Sequence, residues 1–394
     1  IRVYQLVRHL ARRHHVEMLA YAREEEADKL RAVREICHAV HTVPPARHQD
    51  QGKRAAQAAS LLSPRSFQRS CHLSAAMQRA LDSLLEPGRF DAVQVESSQL
   101  MGFRFPPGVK VLLDEHNIEY ELLDRMRQTE RAPARRLYNW LEYVKLRREE
   151  ERAWRDAAGI AFTSTREEEV ARALLPGKPT ATVPNGVDVD YFRPGDTEPE
   201  PGTIVLTGLM RYRPNSDAAV FFVSEVLPHV LARRPDARFV IVGAGPPEEV
   251  RRLAGPRVEV TGQVPDVRPY VERAAAVVVP LRMGSGTRLK VLEGFAMGKA
   301  IVSTALGCEG IRLTPGEHLL VEDDPGRFAG AVVRVLEDRD LAASLGARGR
   351  ALAECEYSWP VIGEGLEAFY DRLLAPSPAP AAAAPSSARV GGRR

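Results

Sequence analysis

Six short runs of β-branched and aliphatic residues punctuate the second half of the chain: TIVLTG, ARFVIVG, RVEVTG, AAAVVVP, KAIVST and HLLVED. Each ends in a turn former or a polar residue, and helical-period segments separate most of them. Such runs read as strands buried on both faces, and strands that alternate with helices lie parallel rather than in hairpins. The spacing predicts a doubly wound, Rossmann-like α/β domain. The first half repeats the alternation less regularly: Leu6 and Leu10, with Val3 and Tyr4, mark a helix, VEMLAYA a strand, and FDAVQVESS, VKVLLDEHN and AAGIAFTST three more.

A chain of 394 residues is too long for one ordinary core, so two domains are expected. Turn formers crowd ATVPNGVDVDYFRPGDTEPEPG, which places an N-terminal domain at 1–188, a linker at 189–202 and a C-terminal domain at 203–357. A last helix, WPVIGEGLEAFYDRLL, fills 358–374. The Pro/Ala/Ser tail at 375–394 lacks the apolar residues to order itself.

Composition excludes several classes. With 44% hydrophobic and 27% charged residues the chain is globular, and no apolar run approaches the roughly 18 residues of a spanning helix. Basic and acidic residues nearly balance, 55 against 52, which leaves no case for nucleic acid as partner. Cys37, Cys71, Cys308 and Cys355 have neither metal-ligand nor disulfide-framework spacing; they read as small buried hydrophobes of a reduced, cytoplasmic protein. The chain opens on a helical period without Met, where an α/β domain would begin with a strand, so a truncated start is expected.

The stretch MGSGTRLKVLEGFAMGKAIVST carries the clearest chemistry. Stepping 100° per residue from Thr287 puts Thr287, Lys290, Glu293, Gly294 and Met297 on one helical face, and Val291, Leu292, Phe295 and Ala296 on the other. Ahead of them Gly284-Ser285-Gly286 lets backbone approach a ligand. First-turn N–H groups and the helix dipole favour an anion there, with Arg288 and Lys290 adding charge. A diphosphate fits, with Glu293 deeper along the helix to hold ribose hydroxyls. Lys290 and Glu293 also fit a plain i,i+3 surface pair. VIVGAGPPEEV has Gly243 and Gly245 but no third glycine, and reads as a tight strand-to-helix turn rather than a dinucleotide fingerprint. The basic segment 135–155, with Leu137, Trp140, Leu141, Val144 and Trp154 near helical spacing, allows two readings: a face for anionic lipid, or aromatics packed inward beneath solvated arginines.

Taken together, VPNGVDVDYFRP, TGLMRYRPNSDAAVFF and the run from VTGQVPDVRPY to STALGCEGI resemble retaining GT-B glycosyltransferases of the family 4 type, close to bacterial exopolysaccharide-associated sugar transferases. The likeness covers nearly the whole chain and is most specific between Gly186 and Ile311. It implies an α/β GT-B fold: two Rossmann-like, doubly wound parallel-sheet domains facing a cleft, with helix 358–374 crossing back to the first domain. The donor, a nucleoside diphosphate sugar, would lie mainly on the C-terminal domain. A saccharide or lipid-linked acceptor would lie on the N-terminal one, and no metal is expected, since basic side chains and helix amides would stabilise the leaving diphosphate.

By that likeness Glu293 matches the second glutamate of the family's paired motif, and Gly284, Ser285, Gly286 and Thr287 would hold diphosphate and sugar. Three departures stand out. The first glutamate falls at Ser285. The basic clamp expected after the first strand of the C-terminal domain falls at Leu209 and Pro214, leaving Arg211 or Arg213 as substitutes. The strand and glycine-rich loop expected before RVYQLVRHL are absent from the sequence. Glu96, and Asp114 with His116, fall at ends of predicted strands; many relatives carry a histidine where Glu96 falls, which makes His116 the nearer counterpart. A polar strand end satisfied by backbone is the alternative. Asn185 and Gly186 are assigned as a hinge.

The resulting expectation is sugar transfer with retention in bacterial polysaccharide or glycolipid synthesis, with His116, Glu96, Arg288 and Lys290 catalytic and Gly284–Thr287, Glu293 and Arg213 binding donor. A sugar-nucleotide epimerase and a non-catalytic GT-B scaffold are the alternatives. The expected location is the cytoplasm, with peripheral contact to the inner face of the membrane.

Overall fold

The computed structural model describes residues 1–23, 25, 28, 30–45, 57, 60–130, 132–284 and 286–375. The tail from 376 onward and Ser285 lie outside these residues.

In the C-terminal half the six apolar runs become six parallel strands, β7 (Thr203–Thr207), β8 (Arg238–Val242), β9 (Val258–Gly262), β10 (Ala276–Val279), β11 (Ile301–Ser303) and β12 (Leu320–Val321). Their order is β12-β11-β10-β7-β8-β9. The strand earliest in sequence, β7, is central and pairs with both β8 and β10. β7 and β10 are buried along their whole length, which is why they are runs of Ile, Val, Leu and Ala. Between β7 and β10 the strand order reverses, and such a switch point opens a crevice at the carboxyl ends of the strands.

The N-terminal half holds two parallel sheets. β1 (Glu17–Tyr21) pairs with β2 (Ala39–Val43), while β3 (Ala92–Glu96), β4 (Lys110–Glu115), β5 (Gly159–Phe162) and β6 (Thr180–Thr182) form a second sheet in that order. β1 does not pair with β3, although Glu17 on β1 takes the guanidinium of Arg89, three residues ahead of β3, at 2.9 Å. The single sheet expected for this half is thus split in two.

Helix α1 (Arg2–Leu10) and the last helix, α2 (Trp359–Leu374), pack together on the second sheet. Leu6, Leu112, Ala161, Val183, Ile362, Leu366 and Phe369 form their common core, so this helix returns to the N-terminal half. The two crossings between halves are tied: Val187 N donates to Tyr357 O at 2.7 Å. Gly186 belongs at that crossing because a Cβ there would lie 2.8 Å from Tyr357 O and 2.9 Å from the Trp359 ring.

Helix 133–156 divides between the two readings of its sequence. Trp154 is buried, but Leu137 and Trp140 are exposed, and the buried face carries Glu142 and Glu150. Those carboxylates accept main-chain N–H groups of distant segments, Glu142 from Phe67 at 2.6 Å and Glu150 from Glu119 and Tyr120 at 3.0 and 3.1 Å. Burial lifts the Glu150 carboxyl to about 8. Cys355, expected inside, is exposed.

Candidate active site

The crevice at the switch point is walled by the loops after β7, β8 and β10. Gly208 follows β7, and a Cβ on it would lie 2.7 Å from Asn215 Nδ2 and 2.8 Å from Lys290 Nζ. Gly243, after β8, would drive a Cβ into the Gly208 carbonyl. The two glycines therefore let adjacent strand-end loops touch, leaving room above them for a lysine.

Behind this floor the loop 283–288 leads into helix α3 (Leu289–Ala296), with Gly284 and Gly286 at φ values of 119° and 78° that disfavour other residues. The helix begins two residues later than its periodicity suggests. Gly294 also sits on the packed face, where a Cβ would meet Ile301 at 2.8 Å, and Met297 is buried too. A glycine has no side chain to reveal its face. Arg288, at the helix start and buried, folds back to donate from Nη1 to Gly286 O at 2.6 Å; burial lowers its pKa.

Lys290 and Glu293 both turn into the crevice. Lys290 Nζ donates to Asn215 Oδ1 at 2.7 Å, and burial pulls its pKa down to about 8, opposed by the charge of Glu293. Burial raises the Glu293 carboxyl, opposed by Lys290. Among the described residues nothing donates a side-chain hydrogen bond to Glu293. The surface-pair reading fails for both. They line a cavity of about 610 Å³ together with Gly284, Thr287, Asn215 and Gln263, one side of which is the apolar wall Val242, Val264 and Val267. Its size suits a nucleotide-scale ligand. A buried ammonium and guanidinium can meet phosphates, a carboxylate short of donors can meet hydroxyls, and the apolar wall can meet a base.

Arg213 does not reach this cavity. It is exposed at the start of helix 213–221, and Pro214 and Asn215 face the cavity instead. Asn215 is the residue sequence reasoning missed; an asparagine in a helical first turn normally signals capping.

The second cluster stands at the carboxyl ends of β3 and β4, where Glu96 and Asp114 are register partners. His116 Nε2 lies 2.8 Å from Glu96 Oε2 and 3.5 Å from Asp114 Oδ2. Burial would lower the imidazole's pKa, but the two carboxylates hold it at about 10, so it carries a proton. Arg2, which sequence reasoning also missed, caps Asp114 from the other side at 2.7 and 2.9 Å. Glu96, Asp114 and His116 bring ligand atoms within 4.8 Å of one another, the separation a metal ion needs. The Arg2 guanidinium already engages both oxygens of Asp114.

The two clusters approach across the halves. A Cβ on Gly286 would lie 3.0 Å from Oδ1 of Asn117, the residue after His116. Asn117 and Thr287 line a narrow gap of about 50 Å³ between the halves, and Asn117 Oδ1 and Thr287 Oγ1 are both buried without a hydrogen-bond partner among the described residues. Arg125 and Glu309 bridge the same gap at 3.8 Å. Asn185 and Gly186 lie away from both cavities, at the crossing.

Two Rossmann-like parallel-sheet halves meeting over a cleft, with a switch-point cavity in the second, define a GT-B architecture. Residues 1–186 match the family described as glycosyl transferase 4-like domain, and residues 201–338 match glycosyl transferases group 1. The chain belongs to the group 1 glycosyltransferases of family 4. Among solved structures, sucrose-phosphate synthase from Thermosynechococcus elongatus superposes with a TM-score of 0.67 at 19% identity, over 94% of this chain and 92% of that one. HepE from Anabaena, solved with UDP, gives 0.64 at 13% identity over 93% and 95%.

Among curated proteins, a phosphatidyl-myo-inositol mannosyltransferase of Mycolicibacterium smegmatis is 32% identical over 208 residues, 50% of this chain and 53% of that protein. A GDP-mannose-dependent monoacylated α-(1-6)-phosphatidylinositol monomannoside mannosyltransferase of Corynebacterium glutamicum is 29% identical over 209 residues, 47% and 54% respectively. The chain spans about half the length of these curated relatives.

Proposed function

We propose that this chain is a retaining hexosyltransferase that moves a sugar from a nucleoside diphosphate sugar to a hydroxyl of a glycolipid or lipid-linked saccharide. The observation that carries the reading is the half-buried Lys290 ammonium held on Asn215 at the switch point, with Glu293 one helical turn deeper. The ammonium and Arg288 meet a diphosphate, and Glu293 accepts from ribose hydroxyls. The names of the curated relatives favour mannose as the sugar, guanine as the base and a phosphoinositide-type lipid as acceptor.

In this reading the anomeric carbon's bond to the diphosphate oxygen breaks as its bond to the acceptor oxygen forms on the same face, and the acceptor's proton passes to the departing diphosphate. Negative charge grows on the leaving oxygen, where Lys290 and Arg288 oppose it without reorganising. The His116 imidazolium, next to Asn117 of the gap between the halves, supplies a third cation.

The acceptor would bring the protein to a membrane surface. No helix among the described residues is long and apolar enough to cross one. Leu137 and Trp140 instead stand exposed on helix 133–156 beside Arg135 and Arg136, with exposed Leu61 and Leu62 next to Ser60, whose Oγ lies 3.5 Å from Tyr138 Oη. Such a basic, apolar face suits contact with anionic lipid.

Calorimetry with GDP, UDP and ADP tests the donor site, and release of nucleoside diphosphate with and without a lipid acceptor tests the reaction. One tight diphosphate and acceptor-dependent release are expected. Turnover of donor without acceptor would indicate an epimerase, and failure to bind all three would remove the enzymatic reading.

A further inference from the structure

A chain of polar contacts runs from the last helix to the cleft. Tyr370 Oη, on α2, donates to Gln94 Oε1 at 2.8 Å. Gln94 Nε2 donates to Glu96 Oε1 at 2.7 Å, and Glu96 Oε2 meets His116 Nε2 at 2.8 Å. From the opposite side Asp114 approaches the same nitrogen, fixed in turn by Arg2, whose Nη1 donates to Pro184 O at 2.9 Å. The imidazole thus lies between two arms. One ends on the helix that follows the return crossing, the other on the segment that makes the outward crossing.

The geometry leaves each member of the first arm one arrangement. Gln94 and Glu96 are two apart on β3 and so share a face. The Glu96 carboxylate can only accept, so the Gln94 amide must turn its NH2 toward Glu96 and its oxygen toward Tyr370. The Tyr370 hydroxyl must then donate. Burial, with Glu96 and Asp114 nearby, raises the pKa of that hydroxyl, which keeps it a donor. A half-buried tyrosine and glutamine beside the apolar layer of Leu112, Ala161 and Phe369 satisfy each other's polar groups there. The charged groups that act on His116 are Glu96 on β3, Asp114 on β4 and Glu119 on the helix that follows β4, while Arg2 on α1 and Tyr370 on α2 reach it through Asp114 and Gln94.

We propose that Gln94 and Tyr370 are positioning residues that fix the His116 imidazolium toward the cleft, so that the docking of α2 on the N-terminal half sets the geometry of a reacting-site cation. Only the kinetic part of the test rests on the proposed sugar transfer; the arms themselves are a property of the fold.

The test is Tyr370→Phe in the full chain, which removes one hydroxyl and keeps the ring, with Gln94→Leu as a second route to the same break. Histidine 15N signals are followed, and the His116 pair is assigned by its loss in His116→Gln. In both variants the His116 signals should shift or broaden. Donor turnover should fall by roughly three- to tenfold in kcat, the scale of one hydrogen bond, with donor KM within about twofold of the parent. Unchanged His116 signals in either folded variant would overturn the proposal, as would a loss confined to KM. If the parent chain turns over no donor, the sugar-transfer reading fails, and the imidazole signals alone decide whether the arms position His116.

Discussion

Lys290 Nζ lies 2.7 Å from Asn215 Oδ1, and this contact joins the helix after the glycine loop to the first turn of helix 213–221, which follows β7. A lysine from α3 therefore stands where a basic residue from the loop after β7 was expected. Its ammonium has Asn215 as its one side-chain hydrogen-bond partner among the described residues. A ligand phosphate can replace that neutral contact with a charged one.

Lys290→Met keeps the stem and removes the charge. Charge-assisted hydrogen bonds contribute about 1.5–3 kcal/mol, so affinity for the nucleoside diphosphate should fall on the order of ten- to a hundredfold. Calorimetry measures this directly, and an affinity within about twofold of the parent would remove Lys290 from the donor site. Melting temperature should hold or rise, because the substitution spares the fold a buried cation.

The same burial gives donor binding a pH window. Lys290, with a pKa near 8 in the empty cavity, loses its proton as pH rises through that value, and a neutral amine no longer attracts phosphate. Affinity should fall above about pH 8, approaching roughly tenfold per pH unit if binding requires the proton. The Glu293 carboxyl, raised by burial, sets the opposite limb, since its protonated form accepts less well from ribose hydroxyls. A bell-shaped plot of log affinity against pH is expected, and Lys290→Met should lose its alkaline limb.

Glu293→Ala tests the ribose contact. The carboxylate has no side-chain donor among the described residues, so its removal breaks no internal side-chain hydrogen bond among them. Donor kcat/KM should fall at least about tenfold, the scale of one good hydrogen-bonded contact. Unaltered kinetics would place the ribose elsewhere along the cavity.

How much of this was legible in the sequence depends on range. The strands were legible because burial on both faces demands β-branched runs, and the 283–288 loop because its glycines have few other uses. Helical spacing put Lys290 and Glu293 on one face, and the glycine loop ahead of them, with the family likeness, favoured a ligand over a surface pair. Glycine 294 did not, having no side chain to mark its face. Arg213 looked like the better phosphate ligand, but the direction in which the chain leaves Gly208 turns Asn215 inward, and no local periodicity encodes that direction. Glu142 and Glu150 defeat the amphipathic reading of helix 133–156 because the main-chain donors that satisfy them lie far off in sequence. Tyr370 and Gln94 are 276 positions apart, and only the return of the chain brings them together.

Surface contact with lipid is the remaining expectation, and Trp140 is the residue on which to test it. The indole is 47% exposed on helix 133–156, three residues from Leu137, which is 59% exposed, with Arg135 and Arg136 exposed alongside. An indole beside arginines gains from an interface where its ring leaves water while the guanidinium groups meet anionic headgroups. Trp140→Glu should therefore weaken binding to vesicles that contain phosphatidylinositol, by repulsion as well as by loss of apolar area, and leave donor affinity in solution unchanged. The parent's vesicle binding should fall between about 0.01 and 0.15 M salt, as the screening length contracts from roughly 30 to 8 Å. Sedimentation with vesicles checks both. Binding that ignores salt and survives Trp140→Glu would move the membrane contact to another face of the protein.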